Sequence, residues 1–419
     1  MSCIAQNVPA EVIHQIFALF SATLRTVDPT AFPWFLGHIC SKWRFIFLSM
    51  TQFWHTISIS FQEVGSRWQP DIELAKNITQ FFLEQNSTAP FSFTFEVLNA
   101  FSLRRWEREN VRRILKMLAN ESKRWKDVSF WVDSSTFSPL PRTKDRLPLL
   151  RTLHMNLIPP VDVRNLGQLN AMSESAPSLS IISLPKLVRA NLAWSNFKDL
   201  TLGSDSSDFY TALPKMTNLE RLRIRFRVTQ PIHSNDIVYL PRLITLRCDL
   251  ALLQILKAPA LEDLAIDCIS QPRDMVLPFL HRSRCNILRL QISLGEAPMA
   301  IEIIQHTPQI SQLKLENIYG LDHVVRMLII STTMEHEPLA RHLLSLHIRG
   351  PSSYLYMSGQ FIQSPWPRFI ISRRSLADDF GCKKLQKLGT SGMTNFGTYE
   401  LISLCKERGV EYIREEKWD

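Results

Sequence analysis

The sequence lacks the long apolar runs, the paired cysteines and the leader segment that identify several classes of protein. It contains no stretch of about 18 uncharged apolar residues, so we expect no membrane span. We also see no basic and apolar leader of the secretory type. The seven cysteines include no Cys-x-x-Cys pair. Their odd number and their scatter favour reduced thiols, and hence the cytoplasm or the nucleus.

Motifs of catalysis and cofactor binding are also missing. The chain has no Gly-x-Gly-x-x-Gly or Walker-type loop, no His-Glu-x-x-His and no Gly-x-Ser-x-Gly. His336, His342 and His347 are close in sequence, but they lack the i, i+4 spacing of helical metal ligands. We therefore predict no catalytic residues, no cofactor and no metal site, and we interpret these histidines as structural or surface residues.

The charge of the chain raises the question of a nucleic-acid partner. The formal net charge is +9, and the basic segment 104–126 contains Trp106 and Trp125. Aromatic residues interleaved with cations can hold a single strand of nucleic acid. The competing interpretation is an amphipathic helix with a solvated basic face, in which Trp106, Val111 and Leu115 share the apolar side. We favour the helix and do not expect nucleic acid as the partner.

Residues 8–55 are typical of a small helical module. Pro9 and Glu11 suit the first turn of a helix, and large apolar residues follow at helical spacing. A second helix is predicted over residues 34–49, and a short turn over residues 51–54. So small a bundle cannot bury all of its large apolar groups. The excess implies contact with a neighbouring domain, a partner or both, and we expect Phe53 and Trp54 to pack on the first strand that follows.

Strand-like and helix-like segments alternate from residue 56 onward. We predict strands near residues 57–61, 91–95 and 128–132, because apolar and polar residues alternate there. Helices are predicted near residues 71–85 and 104–123. Residues 56–146 therefore form the irregular start of a second, larger domain.

A six-residue repeat is clear between residues 147 and 350. An apolar residue is followed by two others, an apolar residue, one other and an apolar residue, as in Leu150-Arg-Thr-Leu153-His-Met155. The last two apolar positions point to one face of a strand. Each unit thus exposes an apolar face that only a neighbouring unit covers. The copies, of which the second is degraded, begin at Leu150, Leu187, Leu219, Leu243, Leu261, Ile287, Ile310 and Leu343.

The repeat predicts an α/β repeat fold, an irregular leucine-rich-repeat solenoid with parallel strands. An ordinary α/β sheet is the alternative, since its buried strands are also rich in leucine and isoleucine. We favour the solenoid because a stacked array predicts self-similarity and a doubly wound sheet does not. The predicted domains are a helical module over residues 1–55 and the solenoid over residues 56–419, closed by a C-terminal cap over residues 380–419.

The N-terminal pattern resembles the F-box. The matching pieces are Val8-Pro9-Ala10-Glu11-Val12 with Ile16-Phe17, Ile39-Cys40-Ser41-Lys42-Trp43-Arg44, and Phe53-Trp54. The repeats resemble the leucine-rich region commonly joined to F-boxes. The resemblance implies a substrate receptor of an SCF-type ubiquitin ligase, with the F-box on the Skp adaptor of a cullin scaffold and the solenoid on a protein substrate. It also implies that the adaptor is bound by Pro9, Ile13, Ile16, Phe17, Leu36, Cys40 and Trp43.

Two other functions stay open. The segment between residues 21 and 34 is longer than the family's usual link between its first two helices. That length favours a leucine-rich scaffold that binds another protein without a ligase. A basic nucleic-acid-binding repeat protein is the third hypothesis. The sequence does not identify the substrate or the residues that recognise it.

Overall fold

The computed structural model describes part of the chain, and this part forms two compact units, residues 1–212 and residues 213–419. The boundary predicted at residue 55 lies inside the first unit. No helix in the described ranges is long and apolar enough to cross a membrane. The described residues are 8–19, 27, 34–64, 67–69, 71–86, 88–98, 103–133, 136, 143, 146–158, 175–186, 192–203, 207–225, 236–267, 273–331, 338–350, 364–391 and 398–413.

The first unit begins with the short helices that the sequence predicts. They are α1 (Ala10–Leu19), α2 (Leu36–Ile39), α3 (Ser41–Ser49) and a 3₁₀ turn (Thr51–Trp54). The prediction of one continuous helix over residues 34–49 is wrong. The backbone of Cys40 is extended, with φ −160° and ψ 171°, so the series of helical hydrogen bonds stops between α2 and α3.

Parallel strands and connecting helices make up the rest of the first unit. The strands and helices predicted between residues 56 and 133 are confirmed, and the strand β2 is antiparallel to β1. The elements are β1 (Thr56–Val64), β2 (Arg67–Gln69), α4 (Ile72–Gln85), β3 (Phe91–Val97), α5 (Arg105–Asn120), β4 (Trp125–Asp133), β5 (Thr152–Ile158), β6 (Ile181–Leu184), β7 (Asp199–Leu202) and α6 (Ser207–Ala212), with 3₁₀ turns at Ser122–Arg124 and Trp194–Asn196.

The second unit continues the same alternation of strands and helices. Two of its strands, β9 and β11, pair with each other in a small parallel sheet. The elements are β8 (Arg221–Ile224), β9 (Val238–Tyr239), β10 (Thr245–Asp249), α7 (Leu250–Leu253), β11 (Leu256–Lys257), β12 (Asp263–Asp267), α8 (Arg273–Ser283), β13 (Arg289–Ser293), α9 (Ala297–Gln305), β14 (Gln312–Glu316), α10 (Leu321–Met327), β15 (Ser345–Arg349), α11 (Pro365–Ser375), β16 (Lys387–Ser391), α12 (Thr398–Glu407) and β17 (Glu411–Ile413), with 3₁₀ turns at Leu213–Lys215 and Asp378–Phe380.

Within each unit, the order of the main strands follows the order of the sequence. In the first unit, β1, β3, β4, β5, β6 and β7 pair in parallel one after another. In the second, β8, β10, β12, β13, β14, β15, β16 and β17 do the same. A doubly wound sheet reverses its strand order at a switch point. The described strands of each unit show no such reversal, and they form an α/β structure with parallel strands.

The six-residue pattern has further copies in the described residues, two of them before residue 147 and two of them between residues 147 and 350. Each of these copies overlaps a strand, and its apolar residues are buried. The copies at β1, β4 and β7 begin with an aromatic residue, so they differ from the predicted copies, which begin with leucine or isoleucine. The degraded copy predicted at Leu187 lies outside the described part of the chain except for its last residue, Leu192, which is buried. The further copies are Trp54-His-Thr-Ile57-Ser-Ile59, Trp125-Lys-Asp-Val128-Ser-Phe130, Leu179-Ser-Ile-Ile182-Ser-Leu184 and Phe197-Lys-Asp-Leu200-Thr-Leu202.

The helix α5 is amphipathic as predicted, but Trp106 is not on its apolar side. Val111 and Leu115 are fully buried, whereas Trp106 is 57% exposed. With 3.6 residues in each turn, Trp106 points roughly 140° away from Val111 and roughly 180° away from Leu115, which is nearly half a turn. The prediction for Trp106 is therefore wrong, while Trp125 is buried in β4 as expected.

Arginines in the last turns of helices bind carbonyl groups of neighbouring segments in the second unit. Arg373 of α11 is fully buried and donates to the carbonyl of Leu328, which follows α10, and to that of Ala340, each at 2.9 Å. A third hydrogen bond goes to the carbonyl of Leu339. Burial lowers the pKa of Arg373 to about 10, so the guanidinium stays charged at neutral pH. Its donors bind the carbonyl of Leu328 at the end of a helix, and they add a second hydrogen bond to the carbonyl of Ala340, which also accepts from the N–H of Leu343 at 3.1 Å.

We expect Arg373→Met to lower the free energy of unfolding by about 2–4 kcal/mol, because it removes the three hydrogen bonds of the guanidinium and leaves the buried carbonyl of Leu328 without this donor. Urea unfolding followed by circular dichroism measures the loss. Arg368 is exposed on the same helix, and Arg368→Met is the matched control. A loss in the control as large as that of Arg373→Met would contradict the role assigned to the buried guanidinium.

Candidate functional site

A continuous series of aromatic contacts joins the helical module, defined as residues 8–54, to α4. Phe53 was expected to pack on the first strand, but its ring packs inside the module. Its centroid lies 5.9 Å from that of Phe17 and 5.3 Å from that of Phe47. The ring of Trp54 extends this series of contacts. Its centroid lies 5.2 Å from that of Phe47 and 5.7 Å from that of Phe81 on α4. Edge-on and tilted pairs of this kind stabilise beyond the area they bury. The contact with α4 therefore holds the module against the rest of the first unit.

The seven residues that the F-box resemblance assigns to an adaptor differ in exposure. Ile13 and Phe17 are fully buried and Leu36 is 4% exposed, so these three belong to the core of the module itself. Their role in adaptor binding stays a prediction, and in this chain they can act only by shaping the surface around them. The assigned residues that remain accessible are Pro9, which is exposed, and Ile16, Cys40 and Trp43, which are half-buried.

The module also exposes large apolar side chains that sequence reasoning does not select. Leu19 is 83% exposed and Phe45 is 75% exposed. On α1, Val12, Ile16 and Leu19 are four and three residues apart, so they form one stripe beside the buried stripe of Ile13. The two stripes separate when the residues of α1 are drawn on a helical wheel. This separation is the feature of the sequence that could have identified the exposed stripe. The exposed set is Val12, Leu19, Phe35, Ile39 and Phe45.

Polar side chains form aligned rows on one face of the strands in the second unit. Alternate residues of a strand point to opposite faces. Leu222, Leu246 and Leu264 are register partners and are buried, so the residues between the apolar ones face the other way. In strand order from β8 to β16, the first row is Arg221, Thr245, Asp263, Arg289, Gln312, Ser345 and Lys387, and the second is Arg223, Arg247, Ala265, Gln291, Lys314, His347 and Gly389.

A groove of about 740 Å³ follows these two rows, and we call it the basic groove. Its charged lining has more cations than anions. The sequence does not assign this face, although most of its lining residues stand at the positions between the apolar residues of the repeat. The lining cations are Arg221, Arg223, Arg247, Arg289, Lys314 and Lys387, and the lining carboxylates are Glu220 and Asp263.

Glu316 and Lys314 form a half-buried pair at the C-terminal end of β14. Their charged atoms are 3.0 Å apart, and Glu316 also accepts hydrogen bonds from Gln291 at 2.9 Å and from Ser293 at 3.0 Å. Burial opposes the ionisation of Glu316, but Lys314, Ser293 and Arg349 outweigh it and lower the pKa of this carboxyl. The pair therefore holds the charge of Lys314 within the groove.

His347 is packed over the backbone of β16. A Cβ atom at Gly389 would collide with Nδ1 of His347, so this position of the second row requires glycine. The Nε2 atom of His347 lies 3.2 Å from the hydroxyl of Ser391. Burial, with the charge of Lys314, lowers the pKa of His347 to about 4, although Glu316 opposes the shift. His347 is therefore neutral in the folded protein at physiological pH.

The depressed pKa of His347 makes stability depend on pH. Between its ordinary value of 6.5 and its folded value of about 4, the unfolded chain binds a proton that the folded chain does not. Stability is therefore lost as the pH falls through this window. We expect the free energy of unfolding to drop by about 1–2 kcal/mol more in the wild type than in His347→Asn between pH 7 and pH 5.

Urea unfolding at both pH values gives this difference. His306 is exposed, so His306→Asn serves as the control and should keep the pH dependence of the wild type. The same pH dependence in His347→Asn and in the wild type would show that His347 is not the group responsible.

Metal binding finds no support in the described ranges. No group of three or more histidine, cysteine, aspartate or glutamate side chains is placed there to hold a metal ion. Of the three histidines near one another in sequence, His342 is half-buried, His347 packs on Gly389, and His336 is outside the described residues.

Comparison with known proteins assigns no family to these surfaces. No family model matches the chain, and no curated protein matches its sequence. The exposed apolar side chains of the module and the basic groove are therefore interpreted from their own geometry and chemistry.

Proposed function

We propose that the chain is a substrate receptor of an SCF-type ubiquitin ligase, with its helical module on the Skp adaptor and its strand face on a protein substrate. The observation that carries the proposal is the exposed apolar stripe of α1, together with Phe45 on α3. A small module that keeps such side chains in water is typical of a protein interface. Pro9, Cys40 and Trp43 are accessible on the same module and match the F-box pattern.

Contacts inside the module fix the positions of α1 and α3, which present these exposed apolar side chains. The side-chain amine of Lys42 on α3 donates to the carbonyl of Val8 at 2.6 Å, which ties the start of α1 to α3. The ring of Trp43 lies 5.2 Å from that of Phe17. Helices held in this way lose little freedom when a partner binds, so more of the contact energy is available for affinity.

We interpret the strands as a leucine-rich-repeat solenoid that presents the substrate-binding face. The sequential strand order, the aligned buried leucines and the six-residue pattern support this interpretation. Such a receptor performs no bond chemistry, since its contribution is to hold a substrate near the ligase's catalytic partners. Free thiols at Cys40, Cys248, Cys285, Cys382 and Cys405 are consistent with the cytoplasm or the nucleus.

A scaffold without a ligase is the second candidate. The burial of Ile13, Phe17 and Leu36 favours it, because these residues are not free to touch an adaptor. In the segment between residues 21 and 34, Val27 is buried and its N–H donates to the carbonyl of Ser58 on β1 at 3.2 Å. The scaffold hypothesis predicts that the module acts only as a cap on the strands that follow.

Binding of the purified Skp adaptor to the full chain separates the two candidates. We expect Leu19→Glu with Phe45→Glu to weaken adaptor binding by at least about tenfold, since charges placed in an apolar interface lose their hydration. Isothermal titration calorimetry measures the affinity, and circular dichroism checks the fold.

The matched control is Leu149→Glu with Tyr399→Glu, which places the same charges at exposed apolar positions outside the module. It should bind the adaptor as the wild type does. If the wild type fails to bind the adaptor, the ligase proposal is wrong and the scaffold is favoured. Equal binding by the module variant would reject the exposed stripe as the contact surface.

A further inference from the structure

Strands of the first unit also align polar side chains on one face, which we call the hydroxyl face. These side chains alternate with buried residues of the same strands, so they point away from the apolar core. Most of them are neutral, and several are serine or threonine. In strand order from β1 to β5, one row is Ser58, Thr94, Ser129 and His154, and the next row is Ser60, Glu96, Trp131 and Asn156.

Trp131 is an exposed aromatic residue of the hydroxyl face. It stands between Phe130 and Val132 on β4, and both of these neighbours are fully buried, so the indole ring has to face outward. The side chain is 42% exposed. An aromatic ring that stays in water adds little to the stability of the sheet, and tryptophan is enriched among the residues that dominate binding to partners. Trp131 is therefore a candidate contact residue.

Glu96 stands directly beside Trp131 on β3. The two residues are register partners on neighbouring strands, which are about 4.8 Å apart. Glu96 is half-buried, and its carboxylate accepts a hydrogen bond from the hydroxyl of Ser60 at 3.0 Å. It forms no ion pair in the part of the chain that the structure describes. The hydrogen bond orients the carboxylate, and the negative charge stays available to a ligand.

We propose that Glu96 and Trp131 together bind the cationic side chain of a lysine or arginine in an extended segment of a protein partner. The inference rests on the proposed function, because it names the chemistry of a substrate that the strands would hold. A cation is attracted to the face of an indole ring within about 6 Å of the ring centre. Since one strand spacing separates the two residues, a cation on the ring also lies within reach of the carboxylate.

The neighbouring polar side chains suit the rest of such a segment. An extended backbone has N–H and C=O groups that need hydrogen-bond partners once they leave water. Asn156 stands on the other side of Trp131, and Thr94 and Ser129 belong to the adjacent row. Amide and hydroxyl groups both donate and accept hydrogen bonds. These residues can therefore bind a backbone of any sequence, whereas Glu96 and Trp131 select the cation.

Exposed cations near the start of the strands limit how many positive charges the segment can carry. Lys126 and Arg151 stand five residues before Trp131 and Asn156, which is about 16 Å along the strands. This distance exceeds the Debye length of about 8 Å at physiological salt, so the attraction at Glu96 persists. Further cations near Lys126 and Arg151 would be repelled. A single lysine or arginine among neutral residues therefore fits the face better than a basic run.

The test uses the full chain with fluorotryptophan in place of tryptophan, and fluorine NMR is the readout. The resonance lost in Trp131→Leu belongs to Trp131, and the resonance lost in Trp106→Leu belongs to Trp106, which is exposed on α5. The cationic probes are peptides of about seven residues, glycine and serine around a central lysine or arginine. A neutral probe has glutamine at the centre, and maltotriose represents a sugar that stacks on an aromatic ring. Each is added up to about 10 mM, because one exposed ion pair binds weakly.

We expect a cationic peptide to shift the Trp131 resonance in a saturable way and to leave the Trp106 resonance in place. The neutral probe should shift neither, and added salt should weaken the binding. Glu96→Gln should weaken it by about threefold, because the charge is lost while the amide oxygen still accepts from Ser60. The matched control is Glu109→Gln, which makes the same change at an exposed position three residues after Trp106 and should retain the wild-type affinity.

No response of Trp131 to either cationic peptide, an equal response to the neutral probe, an equal shift at Trp106 or tighter binding of maltotriose would overturn the inference. Equal affinity of Glu96→Gln and the wild type would also overturn it. Adaptor binding is measured on the same proteins by calorimetry. A chain that binds the adaptor but no cationic peptide refutes only the inference. A chain that binds a cationic peptide but not the adaptor refutes only the ligase proposal.

Discussion

The in-register pairing of parallel strands is the constraint on which the rest of this structure depends. Because side chains alternate between the two faces of a strand, pairing Leu246 with Leu264 buries both and turns Arg247 outward next to Ala265. A slip of one residue would expose the leucines and bury charged groups. The same pairing therefore creates the apolar core and the basic groove, and neither exists without the other.

The helical module has very few residues, and these residues form both an apolar core and an exposed apolar surface. Phe17 and Phe47 contact Phe53, and Trp54 links this core to α4, so the aromatic residues that dominate the module mostly stabilise it. Among the described residues of the module, the stripe of α1 that contains Leu19 and single side chains such as Phe45 stay in water. A residue that matches a family motif can thus support a binding surface without being part of it, since so small a core needs every large side chain.

The strand face of the second unit contains charges of both signs. Arg289 and Asp263, in the first row, form an ion pair across neighbouring strands, which stabilises the sheet. Arg223 and Arg247, in the second row, are register partners of like charge. The strand pairing that buries the leucines therefore also decides which charged side chains meet on the other face.

Sequence alone determined the local elements, because periodicity and helix signals act over a few neighbouring residues. The alternation over residues 91–95 and the repeat at Leu261 therefore predicted strands that the structure contains. The break at Cys40 and the burial of Ile13 depend on which faces meet, so only the tertiary structure decided them. The basic groove needs residues from β8 to β16 to be paired in one register, and nothing local specifies that long-range alignment.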